Sequence, residues 1–189
     1  MSISGSQGQG KSTTIAMLKD RGIKVIENKT SRTILKEWGF TLHEVNKYPP
    51  LVKKFQEEIL RRHYEYNIAA SESTEWYVTE RSFADIFTYA MFALGSYNEY
   101  SEWINEYFEK CARMQQIFDV SCYLTGRAFT PENDGVRSVN IHFNRSVDAL
   151  IKLHLDTFAK LKSPVFLVDT PDKHERCNAI LRRLKEYEN

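Results

Sequence analysis

Gly5-Ser6-Gln7-Gly8-Gln9-Gly10-Lys11-Ser12, followed by Thr13 and Thr14, is the stretch whose reading decides the fold. It follows G-x-x-x-x-G-K-[ST], a phosphate-binding loop. The glycines let backbone N–H groups turn inward around phosphates, the lysine reaches the β- and γ-phosphates, and the closing hydroxyl ligates Mg²⁺. ATP and Mg²⁺ are therefore the expected cofactors. Residues 5–13 form the nucleotide-binding stretch, Lys11 also serves catalysis, and Ser12 is a metal ligand. Such a loop needs a strand before it and a helix after it. Residues 1–4 supply a very short strand, and 12–21 read as a helix with Ile15, Met17 and Leu18 on its apolar side. The helix N-terminus adds its N–H groups and dipole to the anion site. The plainer alternative is a Gly-rich turn at a disordered start, which does not account for Lys11 and Ser12 both standing in register.

Around this loop the chain alternates strand and helix, which implies a parallel sheet with helices on both faces. Gly22 ends the first helix before a β-rich run at 23–26. Helix is expected over 30–38, stopping at Gly39, and over 51–70 after a break at Pro49-Pro50. A third strand at 76–79 leads into Glu80-Arg81-Ser82. Helices follow at 83–94 and 100–116, a fourth strand at 120–124, a polar loop or lid at about 126–138, a helix at 144–161, a fifth strand at 165–168 and a last helix at 171–187. The expectation is one P-loop α/β three-layer domain over residues 1–189, with a five-stranded parallel sheet. No repeat, linker or additional domain is expected.

Composition narrows the class. Lys and Arg total 26 against 25 Asp and Glu, a net charge of +1. That balance gives no support to a strongly basic nucleic-acid binder, though it leaves room for a local basic face. With neither a long apolar run nor a secretory leader, the chain reads as soluble and cytoplasmic (host-cell cytoplasm if viral), with no membrane partner. Cys111, Cys122 and Cys177 are an odd, widely spaced set, which argues for reduced thiols. The aromatic residues (10 Tyr, 11 Phe, 3 Trp) are expected mainly in the core, with some available to stack on a base.

Beyond the loop, Glu80-Arg81-Ser82 stands at the carboxyl end of a strand, where ligands of open α/β sheets bind. Glu80 is placed to meet Mg²⁺ or to take a proton from an attacking hydroxyl, Arg81 to hold the acceptor or the transferring phosphoryl group, and Asp85 to contact acceptor polar groups. The alternative is a capped helix start with a charged first turn. Glu27 and Arg32, around the end of the second strand, face the expected acceptor side, and Glu27 rivals Glu80 as general base. For Arg32 the alternative is a surface ion pair with Glu37 or Glu27. Arg127 and Arg137 bracket a polar Pro/Asn/Gly segment, suited to neutralising charge on the γ-phosphoryl as a lid closes. Solvated loop arginines are the alternative there. Lys54, Arg61 and Arg62 lie near one face of the long helix, interleaved with Glu57, Glu58 and Glu65. Contact with a polynucleotide backbone competes with a face of i,i+4 ion pairs, which is the simpler reading. Asp169-Thr170, closing the fifth strand, is either an adenine-side corner or a plain helix cap.

These motifs in this order resemble the small P-loop kinases related to nicotinamide riboside, thymidylate and deoxynucleoside kinases, over essentially the whole chain. Glu80-Arg81-Ser82 is similar to the E-R-S motif of deoxynucleoside kinases, and Asp134-Gly135-Val136-Arg137 to the lid signature of the riboside-kinase branch. Lys29-Thr30-Ser31-Arg32, Phe55-Gln56-Glu57-Glu58 and Thr79-Glu80-Arg81-Ser82-Phe83-Ala84-Asp85 look like small phage kinases, a group that includes 5-hydroxymethyluracil DNA kinases. One departure is Lys29, where riboside-type kinases usually place a Glu three residues before the arginine. The resemblance implies transfer of the ATP γ-phosphoryl to a nucleoside-type hydroxyl, foremost the 5-hydroxymethyl group of 5-hydroxymethyl-deoxyuridine in phage DNA, a step of thymidine hypermodification. Free nucleosides or nucleoside monophosphates are the alternative acceptors, and a P-loop ATPase or nucleotide switch is the reading from a different class. A homodimer is compatible with all of these.

Overall fold

The computed structural model describes residues 1–26, 30–73, 75–125, 140–159 and 163–187. Five strands, β1 (Ser2–Ser4), β2 (Lys24–Ile26), β3 (Tyr77–Glu80), β4 (Ser121–Leu124) and β5 (Val165–Val168), form one parallel sheet in the order β2-β3-β1-β4-β5. The fold is the α/β three-layer sandwich that the loop and the strand–helix alternation predict. The first strand lies in the middle. The chain runs from it to β2, returns through β3, then crosses to β4 on the other side. Reversal of direction beside β1 opens a crevice at the carboxyl edge of the sheet, where such folds bind ligands.

Alternation along the strands sorts side chains to two cores. Ile3, Val78, Cys122, Leu124 and Val168 face Ile15 and Leu18 of α1 (Lys11–Asp20) and Cys177, Ile180 and Leu184 of α8 (Lys173–Tyr187). The opposite face carries Tyr123, packed into a larger core built by α4 (Pro49–Ser71), α5 (Phe83–Leu94), α6 (Ser101–Met114) and α7 (Ile141–Ala159). Two further helices, α2 (Thr30–Trp38) and α3 (Leu42–Asn46), add Ile34, Leu35 and Val45 to it. The three cysteines are free and buried in these cores. Among the described residues no helix is long and apolar enough to cross a membrane.

Two elements differ from the sequence expectation. Pro49 and Pro50 begin α4 instead of standing before it, because a proline at the first helical positions loses no hydrogen bond and its fixed φ suits the helix. The segment before it is also helical: Thr41 accepts from the Glu44 N–H while the Glu44 carboxylate accepts from Thr41 N, a capping box that starts α3.

Candidate active site

Register explains why the loop and the Glu80 corner meet. Ile3 pairs with Glu80 and Ser4 with Tyr123, so β1, β3 and β4 end level at one edge. Gly5 then turns with φ of 137°, and a Cβ there would lie 2.9 Å from the Leu124 carbonyl oxygen, a gap only glycine tolerates. Gly10 adopts φ of 76° and caps α1 without a side-chain hydrogen bond, and no acidic residue occupies the first turn. The N–H groups and positive dipole end of α1 thus face the loop with no internal anion supplied by that turn. Lys11 is buried, and its ammonium donates to the carbonyls of Gly5 and Ser6, both at 2.7 Å. Burial lowers its pKa, opposed by the charges of Glu80 and Asp85.

Residues from outside hold the loop in place. Asp85 Oδ1 accepts from Gly5 N (3.3 Å), and Asp148 Oδ1 accepts from Ser6 N (3.0 Å). Gln7 Nε2 donates to Asn144 Oδ1 at 2.5 Å, and Gln9 Nε2 to Ser6 Oγ at 3.1 Å. From the opposite core, the buried Arg176 donates to Gln9 O (2.6 Å) and Thr170 O (2.8 Å), tying α8 to both the loop and the end of β5.

At the end of β3, Ser12 Oγ donates to Glu80 Oε2 at 3.2 Å, so the two expected metal ligands are neighbours. Arg81 has φ of 78°, the left-handed conformation that among the described non-glycine residues it alone adopts. Its N–H continues the ladder to Ile3 O at 2.9 Å, and its guanidinium lies over the Tyr89 ring, 5.0 Å from the centroid. Ser82 caps α5, in a box closed by Asp85. The Asp85 carboxylate accepts from Ser82 N (2.9 Å) and Ser82 Oγ (2.7 Å), while Asp85 N donates to Ser82 Oγ. The next N–H, of Phe83, goes to Gln115 Oε1 at 2.9 Å, and Gln115 donates to Ser121 under the sheet. The strained corner at Arg81 is thereby pinned on both sides.

Not every expected residue is gathered here. Asp85 is fully buried and serves as helix cap and loop anchor. Arg32 lies exposed on α2, and Glu37 pairs instead with Arg62. Arg61 is bound by Glu58 and Glu65, and Arg62 also by Glu58, so the long helix displays the ion-pair lattice. Glu27, Lys29, Arg127, Arg137 and the expected lid at 126–138 lie outside the described residues. At the Asp169-Thr170 corner, Asp169 accepts from Thr125 Oγ1 at 2.6 Å, and Asp172 caps α8. Sequence reasoning passed over Asn144, Asp148, Tyr89 and Arg176. The i,i+4 spacing of Asn144 and Asp148 marks one helix face, but nothing local says that this face meets the loop.

A family model described as AAA domain matches residues 1–176. No curated protein matches the sequence. Among solved structures, deoxyadenosine kinase from M. mycoides with bound dATP is 18% identical, with 97% of this chain and 98% of that one covered and a TM-score of 0.64. The same kinase with products dCMP and a flexible dCDP bound is 18% identical, covering 98% of each chain, at 0.58. Shikimate kinase from Acinetobacter baumannii in complex with shikimate is 11% identical, covering 98% and 92%, at 0.54. At such identities the likeness is one of fold.

Proposed function

The chain belongs to the AAA domain family, and on that premise we propose that it is an ATP-dependent P-loop kinase that transfers the γ-phosphoryl to a nucleoside-type hydroxyl. The observation that carries this reading is the Ser12–Glu80 contact of 3.2 Å beside Lys11 and Arg81. Two hard oxygen donors side by side suit Mg²⁺, and an uncapped helix N-terminus behind Gly10 suits phosphates. Bound ATP with Mg²⁺ supplies the transferable phosphoryl group and neutralises part of its charge.

The chain's own residues do the rest. The loop N–H groups and Lys11 hold the phosphates, Ser12 and Glu80 hold the metal, and Arg81 orients the acceptor. Glu80 is also the proposed acceptor of the hydroxyl proton. Arg127 and Arg137 are assigned to charge neutralisation over the γ-phosphoryl. Orientation and fixed charge are the main sources of rate in phosphoryl transfer, since the transition state needs little covalent help.

For the acceptor, the proposal is the 5-hydroxymethyl group of 5-hydroxymethyl-deoxyuridine in phage DNA. Its support is the run Thr79-Glu80-Arg81-Ser82-Phe83-Ala84-Asp85. A second reading, free deoxynucleosides or their monophosphates, is favoured by the commitment of Arg61 and Arg62 to glutamates, which removes α4 as a ready phosphate track. The test is γ-labelled ATP offered with hydroxymethyluracil-containing DNA, with free nucleosides and with monophosphates. Label in the DNA supports the first acceptor, and label on the small molecules replaces it with the second. Inorganic phosphate release without any labelled acceptor overturns the kinase reading in favour of an ATPase or switch.

A further inference from the structure

One carbonyl of the phosphate loop is gripped by a cation from α8. Arg176 Nη1 donates to Gln9 O at 2.6 Å, and Nε of the same guanidinium donates to Thr170 O at 2.8 Å. The residue is 2% exposed and stands in the first turn of α8, whose start is capped by Asp172. Its own N–H donates to Asp172 O at 3.0 Å. A guanidinium is a rigid, planar fork, so two bonds from one plane fix its direction as well as its place. Braced through Thr170 against the end of β5, it holds Gln9 O at a set point. The Gln9 side chain is held as well, by Nε2 donating to Ser6 Oγ at 3.1 Å.

The consequence lies on the other side of the same peptide plane. The described residues contain no cis peptide bond, and in a trans peptide the carbonyl and the following N–H point in opposite directions. With Gln9 O drawn toward α8, the Gly10 N–H points away from Arg176. A phosphate loop works by turning N–H groups inward, and an outward carbonyl at Gln9 is the condition for an inward N–H at Gly10. The loop backbone does not enforce this by itself. Gly8 and Gly10, with φ of 83° and 76°, flank Gln9, and glycine tolerates many orientations of the peptide plane. A contact from outside the loop has to choose one.

We propose that Arg176 is a positioning residue for the donor nucleotide: by holding the Gln9 carbonyl outward, it aims the Gly10 N–H at the phosphate chain. This rests on the ATP-binding half of the proposed function and not on the identity of the acceptor. Arg176 acts through the loop backbone, so its effect falls on phosphate affinity.

Magnesium pyrophosphate is the probe, because it carries a phosphate chain without base or sugar. Arg176→Lys keeps the charge but lacks the planar fork that holds both carbonyls. Titration calorimetry is run well below the melting transition of each protein. Arg176→Lys should bind pyrophosphate and ATP about 10- to 100-fold more weakly, the range of one hydrogen bond to a charged group. A role confined to stability would lower the melting temperature and leave both affinities unchanged, and that result overturns the proposal. A second measurement needs no variant. In ¹⁵N-labelled wild type, saturating pyrophosphate should move the Gly10 amide proton downfield, as a new bond to phosphate requires. A Gly10 amide that stays in place overturns the proposal even where Arg176→Lys fails to fold. The two readings fail separately. A wild type that binds neither pyrophosphate nor ATP removes the ATP reading and this proposal with it, whereas equal binding by the wild type and Arg176→Lys removes the proposal alone. Failure to phosphorylate any acceptor bears only on the kinase reading.

Discussion

Replacing Asp85 by alanine tests whether this carboxylate is a structural anchor. In the wild type it accepts from Ser82 N, Ser82 Oγ and Gly5 N, and it is fully buried. Truncation leaves two backbone N–H groups without an acceptor, since the serine hydroxyl can rotate but amides cannot. Each buried donor left unsatisfied costs about 1–3 kcal/mol. Deleting a buried carboxylate also relieves its own desolvation, which offsets part of the loss. The net expectation is destabilisation of roughly 2–4 kcal/mol, a large share of the stability of an ordinary domain. Urea unfolding followed by circular dichroism measures it. Because Ser82 and Asp85 share one capping box, Ser82→Ala combined with Asp85→Ala should depart from additivity by about 0.5 kcal/mol or more. A loss below about 1 kcal/mol, or an unchanged stability with a raised KM for acceptor, would refute this reasoning and return Asp85 to the acceptor side.

Three other outcomes are expected. Gly5→Ala places a methyl 2.9 Å from the Leu124 carbonyl in a backbone conformation that strains L-residues, so thermal unfolding should show a loss of roughly 1–3 kcal/mol; wild-type stability would contradict the close approach. Lys11→Ala should abolish phosphoryl transfer in the labelled-ATP assay while the fold melts cooperatively, and near-normal turnover would remove Lys11 from the site. His63 is buried against Phe83, and burial, then the charge of Arg81, lowers its pKa to about 3. The unfolded imidazole takes up a proton below about pH 6.5 and the folded one does not until near its lowered pKa. Stability from this group is therefore full above that range and falls as pH drops toward 3, by up to about 1.4 kcal/mol per pH unit. Urea unfolding at pH 7 and pH 5 should show a smaller drop for His63→Phe than for wild type, and parallel drops would exclude His63 as the cause.

Much of the fold was legible because its signals are local. Strand runs, glycine stops and the helix periodicity of 83–94 are set by neighbours in sequence, as is the phosphate loop itself. Where the reading fell short, the signal was present but ambiguous. A proline pair both breaks one helix and begins another, and Thr41 with Glu44 wrote a capping box in a stretch too short to show periodicity. The arginines of α4 were ambiguous for a different reason. The same Arg and Glu spacing serves a phosphate track or an ion-pair lattice, and the geometry around Glu58 and Glu37 shows the lattice.

By itself the sequence determined the loop motif, since glycines, lysine and serine at a fixed local spacing are written in neighbouring residues. It also placed Glu80 and Arg81 at a strand end. Only the tertiary structure decided what stands against that loop. Strand order puts β3 and β4 on either side of β1, and a parallel sheet brings together residues far apart in the chain. Asp148 reaches Ser6 across 142 positions, and Arg176 reaches Gln9 across 167. No periodicity spans such separations, because those contacts are made by packing whole helices on a sheet. The same packing sets the Asp85 carboxylate against the Gly5 N–H and the Tyr89 ring under the Arg81 guanidinium.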